Sequence, residues 1–552
     1  MSHSRWYRSM SALGQEKSDR LSTQTSARGP RLLVALAALI VLGWSILWWP
    51  YTIDDAYIVY RYAQHVVAGI GPVFNAGELV EGYSCPSWMF LLAGFAGTGA
   101  DIVVSSKILG LLCAVLIPFL AFAILRAHCR NPLVAAAAAI WVAVIPELHI
   151  YACSGMETVP FAAAVAAAVF FISRRPQTLS LAFFSLVSLL AVLTLRPEGL
   201  LLSSVLLCVV MAAPMTRRAR WVLLCFIPLM VLMFALRWSF YGALLPNTYL
   251  AKPSPFLHEM GHTPPLEALR LGTHTVLAAA IRPAGFLICS GTIVLLPLLW
   301  LGAVKNRFSP IVQACLVAMA VGLVFTIYYP VDWMPGLRLT FPFFLPTFVL
   351  CALGIDQLLR GHDKLPSWLR HGIPLTVLVL WSIANCTITL GWLTKYRHNR
   401  VNKALNPSTY VDMGRWLRAH ASPDDTVLAF EIGAVGYYSH LRIIDHEGLI
   451  DPYIAGCLKR AGGYGPVRSG QDSDAMMKVV QYCVERRPTW FLARSFTTNE
   501  LTVGREVPLG VCQENIQNAL LEKLGSAMVL EEVFPLEKDG LDKYLLLRRK
   551  HN

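Results

Sequence analysis

Two adjacent carboxylates, Asp54 and Asp55, directly follow the first apolar run of this 552-residue chain, and two more, Glu78 and Glu81, come about a helix-length later. Such a concentration of acid beside lipid adds nothing to the stability of an apolar chain, which points to chemistry or binding. A carboxylate at a membrane surface can act as a general base and take the proton of a hydroxyl nucleophile. Asp54 and Asp55 are therefore the candidate catalytic residues. The stretch Thr52-Ile53-Asp54 reads as an N-cap, and Asp55–Val67 as a short amphipathic helix lying on the membrane. On that helix Asp54, Ile58, Arg61 and His65 share a face, so Arg61 could hold a carboxylate in position. The opposing reading is that Asp54 caps the helix and Asp55 favours its dipole, although one acid would suffice for capping. Glu81, after a Gly-rich turn, could bind a sugar hydroxyl or be a solvated loop carboxylate.

Chemistry on a phosphate-linked substrate also needs cations. Arg196 and Arg338 sit at span ends flanked by Pro or Gly, and Lys252 follows Asn247 in a polar loop. Each could neutralise a phosphate leaving group through charge-assisted hydrogen bonds. Each could equally be an interfacial anchor, and Arg196, beside Pro197-Glu198, could instead be an ion pair fixing a helix end.

The elements that position these residues follow from composition. The chain is 55% hydrophobic and 15% charged, with a mean hydropathy of +0.53. Soluble domains carry about a quarter charged residues, so the class is an α-helical polytopic membrane protein. Apolar runs near 32–50, 104–126, 132–148, 158–173, 178–195, 199–214, 221–241, 284–302, 309–329, 339–358 and 372–394 give an expectation of about eleven transmembrane helices. The run 87–97, broken by glycines, reads as interfacial or re-entrant.

The net charge of +13 falls in alternate loops (Arg126–Arg130, Arg174-Arg175, Arg217–Arg220, Lys305–Arg307, Arg360–Arg370), as expected for cytoplasmic turns. No basic stripe interleaved with aromatics argues for nucleic acid. The polar motifs then share the opposite face, the periplasmic side of a bacterial cytoplasmic membrane. Three regions result: a disordered cytoplasmic tail over 1–30, a transmembrane core over 31–394, and a small extracytoplasmic α/β domain over 395–552. In that domain, 408–420 and 474–486 read as helices, and 426–430, 441–445, 489–493, 527–534 and 543–548 as strands. Two of Cys457, Cys483 and Cys512 could pair there. No Cys/His spacing suggests a metal, and no cofactor is expected.

Nucleotide sugars are absent outside the cytoplasmic membrane, so a group transferred there would be carried on a polyprenyl phosphate. The motifs DDAYI, RYA, G-x-G-x-V-F-N-x-G-E-x-V-E-G-Y (69–83), GMET (155–158), RPEG (196–199), PNTYLAK (246–252) and DWMPG-x-R (332–338) resemble those of the membrane-embedded glycosyltransferases of the C-type fold. Within these the chain is most similar to mycobacterial terminal arabinofuranosyltransferases and to relatives that decorate bacterial surface glycans or pilins. The resemblance extends through Gly433–Tyr437 and Ile444–Leu449.

It implies a catalytic base at Asp54 or Asp55. It also implies a substrate-binding role for Glu81, which joins Arg61, Asn75, Tyr83, Glu157, Arg196, Glu198, Asn247, Lys252, Asp332 and Arg338 in the candidate substrate-binding set. The implied donor is a polyprenyl-phosphate sugar, arabinofuranose first. The implied acceptor is a glycan or a pilin-like protein, among membrane lipids. Ser84-Cys85-Pro86 and Glu431 depart from the commoner residues at their positions. The alternatives are a polyprenyl-phosphate hexose or mannose transferase, and a transporter or flippase of lipid-linked glycans. Transport is disfavoured because the spans are nearly free of charge and no repeated halves are visible.

Overall fold

The computed structural model describes residues 29–253, 296–328, 334, 338–339, 341–360, 366–398, 408–496, 501–535 and 542–550. Almost all of the expected 1–30 tail, the first part of the expected 284–302 span, and Asp332 lie outside the described residues.

A long helical body comes first. Helices α1 (Gly29–Leu47), α2 (Asp54–Val67), α3 (Pro86–Gly97) and α4 (Ile102–Arg126) lead to a bent pair, α5 (Pro132–Ala143) and α6 (Pro146–Ala152). The pair turns through 56° where Pro146 starts the second helix. There follow α7 (Thr158–Ser173), α8 (Leu179–Leu195), α9 (Gly199–Met211), α10 (Arg217–Leu224), α11 (Phe226–Tyr241), the single turn α12 (Thr248–Ala251), α13 (Leu296–Lys305), α14 (Pro310–Tyr328), α15 (Phe344–Arg360) and α16 (Ser367–His398).

Among the described residues four helical stretches are long and apolar enough to cross a bilayer: Gly29–Leu47, Ile102–Arg126, Arg217–Tyr241 and Phe341–Arg360. The bent pair makes a fifth if it counts as one span. The expectation of about eleven spans treats every apolar run as a full crossing. Several of those runs form shorter helices instead, such as Thr158–Ser173 and Gly199–Met211. The chain is an integral membrane protein built on an apolar helical body.

An α/β unit follows: α17 (Ser408–His420), β1 (Thr426–Ala429), α18 (Gly433–Ser439), β2 (Arg442–Asp445), α19 (Pro452–Arg460), α20 (Tyr464–Ser469), α21 (Ser473–Glu485), β3 (Trp490–Ser495), α22 (Asn515–Leu524), β4 (Met528–Pro535) and β5 (Lys543–Arg549). The sheet order is β2-β1-β3-β5-β4. β1 runs parallel to β2 and β3, while β5 is antiparallel to β3 and β4. Parallel neighbours need a crossover, and α18 supplies it between β1 and β2. Cys457, Cys483 and Cys512 are buried as free thiols in the apolar core of this unit, so the pairing left open by the sequence is not formed.

The two parts meet along α2. Its N-terminal half is buried: Asp54, Tyr57, Tyr60 and Arg61 are all covered. Tyr57 and Tyr60 pack in edge and tilted contacts against Tyr437 and Tyr438 of α18, with ring centroids 5.5–5.9 Å apart. The apolar residues of α2, expected from the sequence to lie on the membrane, here serve a protein interface.

Candidate functional site

The paired acids separate completely. Asp54 is the first residue of α2, and the N-cap position is Ile53, which makes no side-chain cap. Asp54 therefore does not cap its own helix. Its carboxylate accepts from the backbone N–H of Gly433 (2.9 Å) and of Ala434 (2.8 Å), so it caps α18 across the interface. A Cβ on Gly433 would lie 2.1 Å from the Asp54 carbonyl oxygen, so only glycine allows this approach. Asp54 is 3% exposed. Burial pushes its carboxyl up to about 7, opposed by the Ala434 N–H bond, and the charge of Asp55 adds to the rise.

One position on, Asp55 points elsewhere. It lines a cavity of about 240 Å³ with Ile58, Val59, Tyr83, Glu157, Arg196, Glu198, Tyr249, Lys252, Arg338 and Leu449. Successive helix positions lie about 100° apart, so one acid faces the α/β unit and its neighbour faces the cavity.

Three residues expected to touch substrate are engaged elsewhere. Arg61 donates to three carbonyls: Phe74 (2.7 Å), Gly436 (2.6 Å) and Leu441 (2.7 Å). It holds no carboxylate. Buried and rimmed by carbonyls, it fixes the loop after α2 and the end of α18 together; a Cβ on Gly436 would sit 2.7 Å from its Nη1. Asn75 donates to the Ile443 carbonyl (2.8 Å) and accepts from the Ile443 N–H (3.0 Å), reading both backbone groups of one strand residue. Asn247 donates to the carbonyls of Gly448 (2.8 Å) and Leu449 (3.1 Å). Arg and Asn suit such positions, since they satisfy buried carbonyls that would otherwise be left without partners. All three belong to the docking surface.

Glu81 is neither solvated nor open to the polar cavity. It is buried and makes a two-point ion pair with Arg237, at 2.6 and 3.1 Å. Burial raises its carboxyl while Arg237 opposes the rise. Arg237 lies outside the expected substrate-binding set. The signal that could have found it is a lone Arg inside the apolar run 221–241, which lipid tolerates only with a partner. Tyr83 lines the polar cavity, stacks edge-on against Tyr62 at 4.6 Å and shares a contact of 3.2 Å with the Tyr241 hydroxyl.

Arg196 bridges two carboxylates, Glu157 (2.9 Å) and Glu198 (2.6 Å), with all three side chains 6% exposed. The ion-pair reading of Arg196 thus describes its contacts, and all three residues line the cavity. Arg338, partly buried, and Lys252, exposed, bring positive charge to the same space. The α/β unit adds two acids nearby that are absent from the expected set. Glu447 is raised to about 8 by burial and then by Asp445, with Lys252 opposing. Glu431 is raised by burial and then by the charge of Asp54. Among the described residues no group of three His, Cys, Asp or Glu side chains could hold a metal ion.

Beyond the polar cavity the space continues. A narrow cavity of about 40 Å³ shares Ser84, Arg196, Pro197 and Tyr249 with it. That cavity in turn shares Pro86, Met233 and Arg237 with an apolar one of about 590 Å³, lined by Phe90, Leu229, Leu232, Leu236 and Phe240. A polar chamber therefore adjoins an apolar groove between α3 and α11, the arrangement a lipid with a charged head requires.

Solved structures of the oligosaccharyltransferase of Archaeoglobus fulgidus have this architecture. The apo form aligns with a TM-score of 0.55 at 12% identity, over 84% of this chain and 69% of that one. The complex with an inhibitory peptide and a dolichol-phosphate aligns with 0.53 at 11% identity, over the same shares. The fold is that of the C-type membrane glycosyltransferases. In sequence, the chain is 28% identical over 240 residues to a terminal β-(1→2)-arabinofuranosyltransferase of Mycobacterium tuberculosis, a match over 40% of this chain and 38% of that protein. Residues 395–527 match a family described as a domain of unknown function, DUF8728.

Proposed function

We propose that this C-type chain transfers a sugar, arabinofuranose first among candidates, from a polyprenyl-phosphate donor to a hydroxyl of a cell-surface glycan or pilin-like acceptor. The observation that carries the reading is the separation of the paired acids: Asp55 opens on a cavity that also holds Arg196, Arg338 and Lys252, while Asp54 is bonded to α18. Asp55 takes the acceptor hydroxyl proton, the acceptor oxygen bonds to the anomeric carbon, and the bond from that carbon to the phosphate oxygen breaks. Arg338 and Lys252 receive the negative charge of the departing polyprenyl phosphate. The apolar groove beside Phe90, Leu232 and Phe240 takes the isoprenoid tail. The archaeal structure that carries a dolichol-phosphate supports a lipid-phosphate donor, and the mycobacterial relative supports arabinofuranose.

In this reading about eleven segments enter the bilayer, several of them short, and the basic turns face the cytoplasm. The cavity and the unit over 395–552 face the periplasm. The test is release of polyprenyl phosphate by the full chain in lipid nanodiscs, supplied with short-chain polyprenyl-phosphate arabinofuranose, hexose and mannose in turn. Preference for the pentose supports the reading, equal or better use of a hexose moves it to the hexose transferases, and no transfer from any donor sinks it. A reporter fused after Asn552 that works only in the cytoplasm would overturn the topology.

A further inference from the structure

Glu157 immediately precedes α7 and Glu198 immediately precedes α9, and each gives its Oε1 to Arg196. Phe161 of α7 lies against the guanidinium, 5.8 Å from ring centroid to Cζ, and so limits its movement. The second oxygen of each carboxylate, Oε2, accepts no hydrogen bond among the described residues, and neither glutamate makes a side-chain cap on its own helix. Both residues line the chamber on which Asp55 opens. Neither oxygen is sealed within the protein, so each is open to the chamber and takes its hydrogen-bond donor from there. The donor must come from whatever fills the chamber.

The charge of the group says what that is. Two carboxylates and one guanidinium carry a net single negative charge, which repels a phosphate. A carboxylate oxygen only accepts, and a sugar hydroxyl donates. We infer that Glu157 and Glu198 read ring hydroxyls of the transferred glycosyl group, with Arg196 as the positioning residue that orients them. The donor phosphate is left to Arg338 and Lys252. This rests on the sugar-transfer reading above and deepens it: the substrate class becomes a glycosyl group with free ring hydroxyls, and the specificity determinants are two glutamates.

The experiment uses the full chain in nanodiscs with its preferred polyprenyl-phosphate sugar and the monodeoxy versions of that donor. In the parent protein at least one monodeoxy donor should lose about ten- to a hundred-fold in kcat/KM, the range of a hydrogen bond to a charged group. Glu157→Gln and Glu198→Gln should each lower kcat/KM for the intact donor. Each should also shrink the penalty for the one deoxy donor that lacks its hydroxyl, leaving the other penalties in place. A merely structural ion pair would lower all donors alike. Should a Gln variant fail to fold, Glu198→Asp, which keeps the charge and shortens the reach, should alter the same single penalty.

Undiminished penalties in every folded variant would overturn the inference, as would a parent protein indifferent to every deoxy donor. Either result would leave the transferase reading standing, since the intact donor is still turned over. A parent protein that turns over no donor would overturn both.

Discussion

The two faces of α2 are made from one short sequence and behave differently. Toward the α/β unit, Asp54 and Arg61 bond the backbone of Gly433, Ala434, Gly436 and Leu441. Toward the chamber, Asp55, Ile58 and Val59 are part of the wall. The first face is satisfied within the protein and the second is open to a ligand. An acid with its hydrogen bonds filled by backbone N–H groups is poorly placed to take a proton from substrate. The acid next to it faces the chamber instead, and the distinction comes entirely from which element packs against each side. A unit matching a family of unknown function thereby gains a structural role. Its segment 433–449 holds the helix on which Asp54 and Asp55 sit, and Leu449 closes part of the chamber.

The largest effects are expected on the open face. Asp55→Asn should lower the transfer rate about 10²- to 10⁴-fold, the usual worth of a positioned general base, with thermal unfolding unchanged. A variant of parental rate would remove Asp55 from the chemistry. Arg338→Ala should follow, with about a ten- to hundred-fold loss in kcat/KM for the donor and little change in acceptor dependence. Arg338→Lys should recover part of it, because Lys keeps the charge and loses the planar pair of donors. Varying donor and acceptor separately in steady state checks this, and an unchanged donor dependence would make Arg338 an anchor.

On the closed face the effects are in stability. Gly433→Ala puts a methyl group 2.1 Å from the Asp54 carbonyl oxygen, an overpacking that should destabilise the folded chain by about 1–3 kcal/mol. Chemical or thermal unfolding in detergent reads it, and a neutral result would mean that α18 is held less closely to α2 than this distance requires. The smallest effect is with pH. Asp54 and Asp445 are raised to about 7 and Glu447 to about 8, each first by burial. The folded chain then keeps protons that the unfolded chain has lost. Their contribution is full below about pH 4 and fades as the pH rises through 7 to 8. Glu447→Gln should therefore flatten the fall in melting temperature between pH 5 and pH 8.5, and a steeper fall in that variant would contradict the sign.

Much of this is legible in the residues. The runs 426–430 and 543–548 form β1 and β5, short apolar stretches between turn signals, with Thr426 and Val427 favouring a strand in β1 and Tyr544 in β5. The motif chemistry of Asp55, Arg196, Lys252 and Arg338 gathers at one chamber, as their shared face suggests. Partnership across long separations is not legible. Asp54 and Gly433 are 379 positions apart, and nothing local tells an acid that caps a distant helix from one that meets substrate. Arg61, Asn75 and Asn247 depart from expectation for the same reason, since a side chain suited to binding a sugar is equally suited to binding a carbonyl. Helix length fails differently: apolar runs show what lipid or core accepts, and they do not show where a helix bends, as at Pro146.

The most direct measurement is the single-turnover transfer rate of Asp54→Asn, taken at a temperature where its unfolding curve shows the folded state intact. The amide keeps the shape of the carboxylate and offers one accepting oxygen in place of two, so one of the N–H groups of Gly433 and Ala434 loses its partner. The variant should unfold more readily, by about 1–3 kcal/mol, and transfer sugar within about threefold of the parent rate, far from the loss expected of a general base. A hundredfold loss of transfer in a fully folded Asp54→Asn protein would contradict the division between the two acids and return the base to Asp54.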